Sequence, residues 1–168
     1  MTVQLAPEKL DQRSTEPLRL NLGGRGTKID GFLTVDLSTE HDVDVRSDVS
    51  DLSAFKDGSV ETIYASHILE HFPHVRTQYV LEEWFRVLKK GGSLFVSVPD
   101  FDRAIELYTK RGLTDYLVNL LYGDQGYPLA YHYAPFTAGR MFSLLNKAGF
   151  SDFKRIKWMP YKLNDCSL

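Results

Sequence analysis

Cysteine is nearly missing from this chain of 168 residues: Cys166, near the carboxyl end, is the only one. That excludes an internal disulfide and a cysteine-rich metal site, and it suits a reducing, cytoplasmic setting. Missing too is any apolar run approaching the ~20 residues of a membrane span, and the opening MTVQLAPEKLDQ lacks the cationic-then-apolar pattern of a signal peptide. There is no basic excess. Lys plus Arg number 20 against 22 Asp plus Glu, a net charge of -2, so a phosphate backbone is not attracted and no nucleic-acid partner is expected. What is present is ordinary: 43% hydrophobic and 25% charged residues match a globular domain of one core, which at this size buries roughly 70% of its unfolded surface without a staple.

Residues 1–17, polar and holding Pro7 and Pro17, read as an amino-terminal arm before a domain over 18–168. Leu18 to Leu22 alternates as a first strand and runs into Gly23, Gly24 and Gly26; Phe32 to Val35 reads as a second, ending at Asp36. Val43 and Val45 suggest a short edge strand before an acidic loop closed by Asp57-Gly58-Ser59. A strand follows over 61–66, and residues 77–89 place Val80, Leu81, Trp84, Val87 and Leu88 on one helical face. Lys89, Lys90 and Gly91 or Gly92 look like its carboxyl-terminal stop, before a strand from Leu94 to Val98. Helical patterns at 101–111 and 113–122 end at Gly112 and Gly123. An aromatic loop, GDQGYPLAYHYAPF, then leads to a helix capped by Thr137 and stopped by Gly149, with a last strand expected from Phe153 to Trp158. Strands alternating with helices imply an α/β fold whose mostly parallel sheet carries helices on both faces, with ligands bound beyond the carboxyl ends of the strands.

At the first such end, Leu20-Asn-Leu-Gly-Gly-Arg-Gly26 brings a strand into a turn poor in side chains, where a ligand can approach the backbone. Asp36, ending the neighbouring strand, can accept hydrogen bonds from both hydroxyls of a ribose. A dinucleotide is disfavoured. From Gly24 the G-x-G-x-x-G pattern fails at Ile29, and the space before Phe32 is too short for the helix that would seat a pyrophosphate. A nucleoside without a diphosphate fits better.

Taken in order, LRLNLGGRG, FLTVDLS, SDVSDL, ETIYASHILEHF and LEEWFRVLKKGGSLFVSVPD resemble the class I S-adenosylmethionine (SAM)-dependent methyltransferases, over roughly residues 18–158. The resemblance implies a Rossmann-like sheet and SAM as cofactor. It implies that Gly23, Gly24 and Gly26 border the methionine and ribose portions, that Asp36 holds the ribose, that Leu37 lies against the adenine, and that Asp48 and Val49 meet the adenine edge. Ser66 and His67, closing the fourth strand, would lie beside the methyl donor. Three departures accompany it. Asn21 stands where the family often has an acid, although an amide can still bond the amino-acid part. Nine residues separate Leu22 from Phe32, fewer than the ~10–12 of a crossover with its helix, so the first crossover helix is vestigial and the arm or a second subunit, as in a homodimer, should cover that face. The antiparallel carboxyl-terminal strand is expected to be absent or incomplete.

Methyl transfer needs alignment more than reactive side chains, yet a hydroxyl acceptor benefits from a base near neutrality. His67, after the fourth strand, and His132, inside the aromatic loop among Tyr127, Tyr131, Tyr133 and Phe136, are the catalytic candidates. His67 and His71 stand four apart beside Glu70, but the H-E-x-x-H order is absent and no third ligand is evident, so no metal is expected. The near-neutral charge points to a small-molecule or glycan acceptor methylated at O or N. The competing readings are a SAM-binding or partner-binding module without turnover and an NAD-linked oxidoreductase.

Overall fold

The computed structural model describes residues 17–157 and 159–161. Its elements run β1 (Arg19–Leu22), β2 (Leu33–Asp36), β3 (Val45–Arg46), β4 (Val60–Ser66), α1 (Thr77–Val87), β5 (Leu88–Ser97), α2 (Phe101–Arg111), α3 (Asp115–Tyr122) and α4 (Ala138–Ala148). The five strands form one parallel sheet in the order β3-β2-β1-β4-β5. The chain thus starts in the middle, steps outward to β3, and returns to the other side of β1 as β4. That reversal opens a crevice beyond the carboxyl ends of β1 and β4, where open α/β sheets bind ligands.

Alternation along the strands decides the core. Leu20, Leu22, Val35, Ile63 and Ala65 are buried together with Val80, Leu81, Trp84 and Val87 of α1 and with Met141, Leu145 and Ala148 of α4. Trp84 is enclosed completely, and its indole nitrogen donates to the Val49 carbonyl at 2.9 Å, so burial leaves no polar group unpaired. The opposite register carries Asn21, Thr34, Thr62, Tyr64 and Phe95. The first crossover is a pair of turns, with Thr27 N donating to Gly24 O at 2.7 Å and Phe32 N to Ile29 O at 3.0 Å, and it contains no helix. On that face Tyr161 meets Phe32, Tyr64 and Phe95 edge-on, with ring centroids 4.8, 5.8 and 5.9 Å apart. An aromatic cluster therefore covers part of the area a helix would cover. The amino-terminal arm proposed for that role lies, in residues 1–16, outside the described residues. Among the described residues no helix is long and apolar enough to cross a membrane.

Two expectations about boundaries are corrected. The helix expected to run to Leu88–Lys89 ends at Val87, and Lys89, Lys90, Gly91 and Gly92 belong to β5. Leu88 already pairs with Val60, and Gly58 N takes the Arg86 carbonyl at 2.9 Å, so strand pairing and a loop amide satisfy the helix end that a glycine would have capped. Gly91 instead uses its positive φ of 77° within the register shift between Val60 and Thr62. The second correction concerns Phe153–Trp158. Residues 153–157 form no strand, and Trp158 lies outside the described residues. Phe153 stacks on Phe142 of α4 with centroids 5.4 Å apart, and Arg155 reaches Asp100 at 2.6 Å, so this segment spends its side chains on α4 and on the cap of α2 rather than on a neighbouring strand. The caps read from sequence hold: Thr137 accepts from Arg140 N, and Gly112, Gly123 and Gly149 stop their helices with positive φ.

Candidate active site

The glycine turn is shaped from below. Gly23 N donates to Val35 O of β2 at 2.9 Å, and a Cβ at Gly23 would stand 2.5 Å from Ile68 Cδ1. A Cβ on Gly24 would stand 2.4 Å from Asn21 Nδ2. Asn21 itself is 1% exposed, and its amide nitrogen donates to Thr27 O at 2.9 Å. One of the two N–H groups of that amide thereby holds the turn. Asp36 lies between the turn and the segment after β2: Oδ2 accepts from Arg25 N at 2.8 Å and Oδ1 from Ser38 N at 2.7 Å. Each carboxylate oxygen has a second lone pair, so two backbone donors fix the group and leave acceptor capacity for a diol. Leu37, beside it, is 47% exposed, an apolar surface at the position assigned to a base. His41 accompanies this edge; its ring lies over Gly26 and its Nδ1 is 2.7 Å from Ser38 Oγ.

Asp48 and Val49 form the loop after β3. Asp48 Oδ1 accepts from Ser50 N at 2.8 Å and from Ser50 Oγ at 2.7 Å, a turn built on its own side chain. Val49 is buried, with its carbonyl taken by Trp84.

At the end of β4, Ser66 Oγ pairs with Ser97 Oγ at 2.9 Å, and His67 follows with φ 51°. A side-chain-bearing residue in that left-handed region is uncommon and costs conformational energy. Here it swings the chain off the sheet into a short 3-10 turn, Leu69–His71, and brings His67 Nδ1 to 3.0 Å from Glu70 Oε1. Glu70 is 1% exposed. Since a carboxylate only accepts, Nδ1 carries the proton and Nε2 is the basic nitrogen, the arrangement in which an acid orients a histidine base.

The aromatic loop closes over this turn. Gly123, which starts it, has φ 77° and passes so near the Ala130 carbonyl that a Cβ would lie 1.8 Å from its oxygen. Tyr133 N and Ala134 N both donate to Glu70 O, at 2.8 and 3.3 Å. His132 meets His71 edge-on with centroids 4.9 Å apart, and one donor atom each of Glu70, His71 and His132 lies within 4.8 Å of the others. Burial pushes the His132 imidazole below its ordinary pKa, partly opposed by its hydrogen bond to the Leu120 carbonyl at 3.0 Å, which favours the neutral ring. Tyr131 and Tyr133 stack on each other at 6.2 Å, and Arg25, from the glycine turn, donates to Tyr127 OH at 2.9 Å with its guanidinium over that ring. Turn and loop are thereby bridged across the crevice mouth.

His67 and His132 share one site, as expected from the sequence, and what joins them is Glu70. Glu70, read as a neighbour of a histidine pair, is the buried acid on which both converge; the acid three residues after His67, on a segment leaving a strand, was the available signal. Arg25 carried no signal, because its partner lies 102 positions away.

Residues 14–96 match the family model described as a methyltransferase domain. Among solved structures, a SAM-dependent methyltransferase from Methanosarcina mazei aligns with TM-score 0.62 at 22% identity, covering 87% of this chain and 86% of its own. A SAM-dependent methyltransferase from Archaeoglobus fulgidus aligns with TM-score 0.58 at 16% identity, covering 81% and 62%. Phosphoethanolamine N-methyltransferase 2 from Haemonchus contortus, in complex with S-adenosyl-L-methionine, aligns with TM-score 0.53 at 17% identity, covering 82% and 34%. The chain spans about three-fifths of the length of the first structures it resembles. No curated protein sequence matches it. The parallel sheet with its switch point and the match over residues 14–96 together show a methyltransferase domain with the fold of the SAM-dependent methyltransferases it resembles.

Proposed function

We propose that this site moves a methyl group from SAM to an oxygen or nitrogen of a small-molecule or glycan acceptor in the cytoplasm. The observation that carries the reading is the pairing, on one edge of the sheet, of the Asp36 carboxylate fixed against the glycine turn with the His67–Glu70 pair at the end of β4. Asp36 takes the ribose, Leu37 covers the adenine, and Gly23, Gly24 and Gly26 leave room for the methionine part, with Asp48 and Val49 at the adenine edge and the Asn21 amide toward the amino-acid part. Ser66 and His67 flank the sulfonium. The acceptor enters under the aromatic loop, walled by Tyr131 and Tyr133 and positioned by His132. Bound there, SAM would supply a methyl group for in-line transfer, with the bonding electron pair left on its sulfur; His67 Nε2 would take the acceptor's proton, and Glu70 would stabilise the imidazolium.

The test is turnover: the chain, methyl-labelled SAM and panels of glycans, phenols and amines, with S-adenosylhomocysteine as readout. Label transferred by wild type and reduced at least about 100-fold in His67→Ala supports the reading; a His67→Ala variant with full turnover contradicts it. A second reading, a SAM-binding module without turnover, draws support from the Arg25–Tyr127 bridge and from His41 over Gly26, which narrow the mouth. SAM binding with no label transferred to any panel would favour it.

A further inference from the structure

From the donor chemistry around the 3-10 turn, we infer that Glu70, His71 and His132 bind one divalent transition-metal ion of the zinc class. Four observations lead there, and none depends on SAM. First, two neighbours on the 3-10 turn, Glu70 and His71, and one residue of the distant aromatic loop, His132, bring a donor atom each within 4.8 Å of the others. Ligand atoms on a tetrahedral zinc with bonds of 2.0–2.2 Å lie about 3.4 Å apart, so side-chain rotation of order 1 Å closes the set.

Second, the tautomers are fixed for ligation. His71 Nδ1 lies 3.0 Å from the Tyr131 carbonyl and His132 Nδ1 3.0 Å from the Leu120 carbonyl. A carbonyl accepts only, so both Nδ1 atoms carry a proton, and in the neutral rings the lone pairs lie on the two Nε2 atoms. A ring N–H donated to a backbone carbonyl is the outer support that metal-bound histidines use.

Third, Glu70 is 1% exposed, and its Oε2 has no hydrogen-bond partner among the described residues, although Oε1 is held by His67. A buried carboxylate oxygen left unpaired costs roughly 1–3 kcal/mol or more, and a bound cation removes that cost. Fourth, the set is two imidazoles and one carboxylate. These are ligands that zinc, cobalt, iron and nickel accept and that calcium and magnesium, which take oxygen cages, do not. Three protein donors leave one position of a tetrahedral ion for water.

The ion would clamp three elements: the turn after β4 through Glu70 and His71, the aromatic loop through His132, and α3 through the Leu120 carbonyl behind His132. The sequence spacing hid it because His132 stands 61 positions beyond His71. The cluster as a purely ionic contact, with a protonated histidine answering Glu70, is the competing outcome.

The experiment uses the full chain, freed of any tag and stripped with chelator, titrated calorimetrically with Zn2+ and followed with Co2+ by visible absorption. The expected result is one equivalent of Zn2+, visible bands from Co2+ in a non-octahedral N2O site, and slower proteolysis between residues 123 and 136 once metal is added. His71→Ala should weaken Zn2+ binding about 100-fold or more, with circular dichroism and SAM affinity kept as controls of the fold; His132→Ala should do the same, so the conclusion does not hang on one variant. Zn2+ binding absent or weaker than millimolar in wild type overturns the inference, as does affinity unchanged in both variants. SAM affinity, read in the same samples, separates this outcome from failure of the methyltransferase reading.

Discussion

Replacing Asp36 by asparagine tests the best-defined corner of the site. The carboxylate accepts from Arg25 N at 2.8 Å and from Ser38 N at 2.7 Å, one on each oxygen. Asparagine is nearly the same size but keeps only one acceptor oxygen, so its NH2 must face one of the two backbone donors. A hydrogen bond to a charged group is worth about 1.5–3 kcal/mol, and one is lost. For a domain of this length each kcal/mol moves the melting temperature by about 2–4 °C, so Asp36→Asn should melt roughly 3–12 °C lower without ligand. SAM should bind more weakly as well. Losing one ribose bond at about 1–3 kcal/mol corresponds to a roughly 5- to 150-fold rise in Kd. Thermal melts by circular dichroism and calorimetric titration with SAM read the two effects separately. A melting temperature within about 1 °C of wild type refutes the anchoring role; an unchanged Kd in a folded variant refutes the ribose grip.

Other consequences are equally direct. Gly123→Ala sets a Cβ 1.8 Å from the Ala130 oxygen at φ 77°, so it should cost about 3 kcal/mol or more, and a denaturant midpoint equal to wild type would mean the aromatic loop does not sit where described. Trp84→Phe removes the indole bond to Val49 O and leaves a void in the core, with an expected loss of about 2–4 kcal/mol in chemical denaturation. Tyr127→Phe deletes only the bond from Arg25 between exposed groups; stability should change by less than about 0.5 kcal/mol, while SAM dissociation followed by stopped flow should speed up about 3- to 10-fold, and an unchanged rate would take the bridge off the exit path. His132 has a folded pKa below its ordinary 6.5 because burial disfavours the imidazolium. Its contribution to stability is therefore complete above pH 6.5 and declines as pH falls through the lowered value. Melts in chelator from pH 8 to 5 should show this decline in wild type and a shallower one in His132→Asn; parallel curves would contradict the assignment.

What could be read in the sequence was whatever depends on neighbours along the chain. The glycine turn, Asp36 at the end of the second strand and the Thr137 cap are local chemistry, and each stands where the residues put it. The missing first helix followed from counting residues between Leu22 and Phe32. Errors arose where partners distant in sequence competed with local signals. Gly91 is a good helix stop, yet pairing of Leu88 with Val60 ended the helix earlier and turned the glycine into part of a register shift. Phe153 to Ile156 has strand-forming residues, but Phe142 of α4 captured the phenyl ring. The same reason hid the meeting of His132 with Glu70 and His71: three-dimensional convergence leaves no period in a sequence.

Adenosine recognition at the carboxyl ends of β1 and β2 is the central claim. The most direct measurement is a crystal structure of the chain with S-adenosylhomocysteine. Both ribose hydroxyls should lie within hydrogen-bonding distance of the Asp36 carboxylate, with the adenine against Leu37 and the sulfur beside His67. Nucleoside density seated away from Asp36, at any other edge of the sheet, would contradict it.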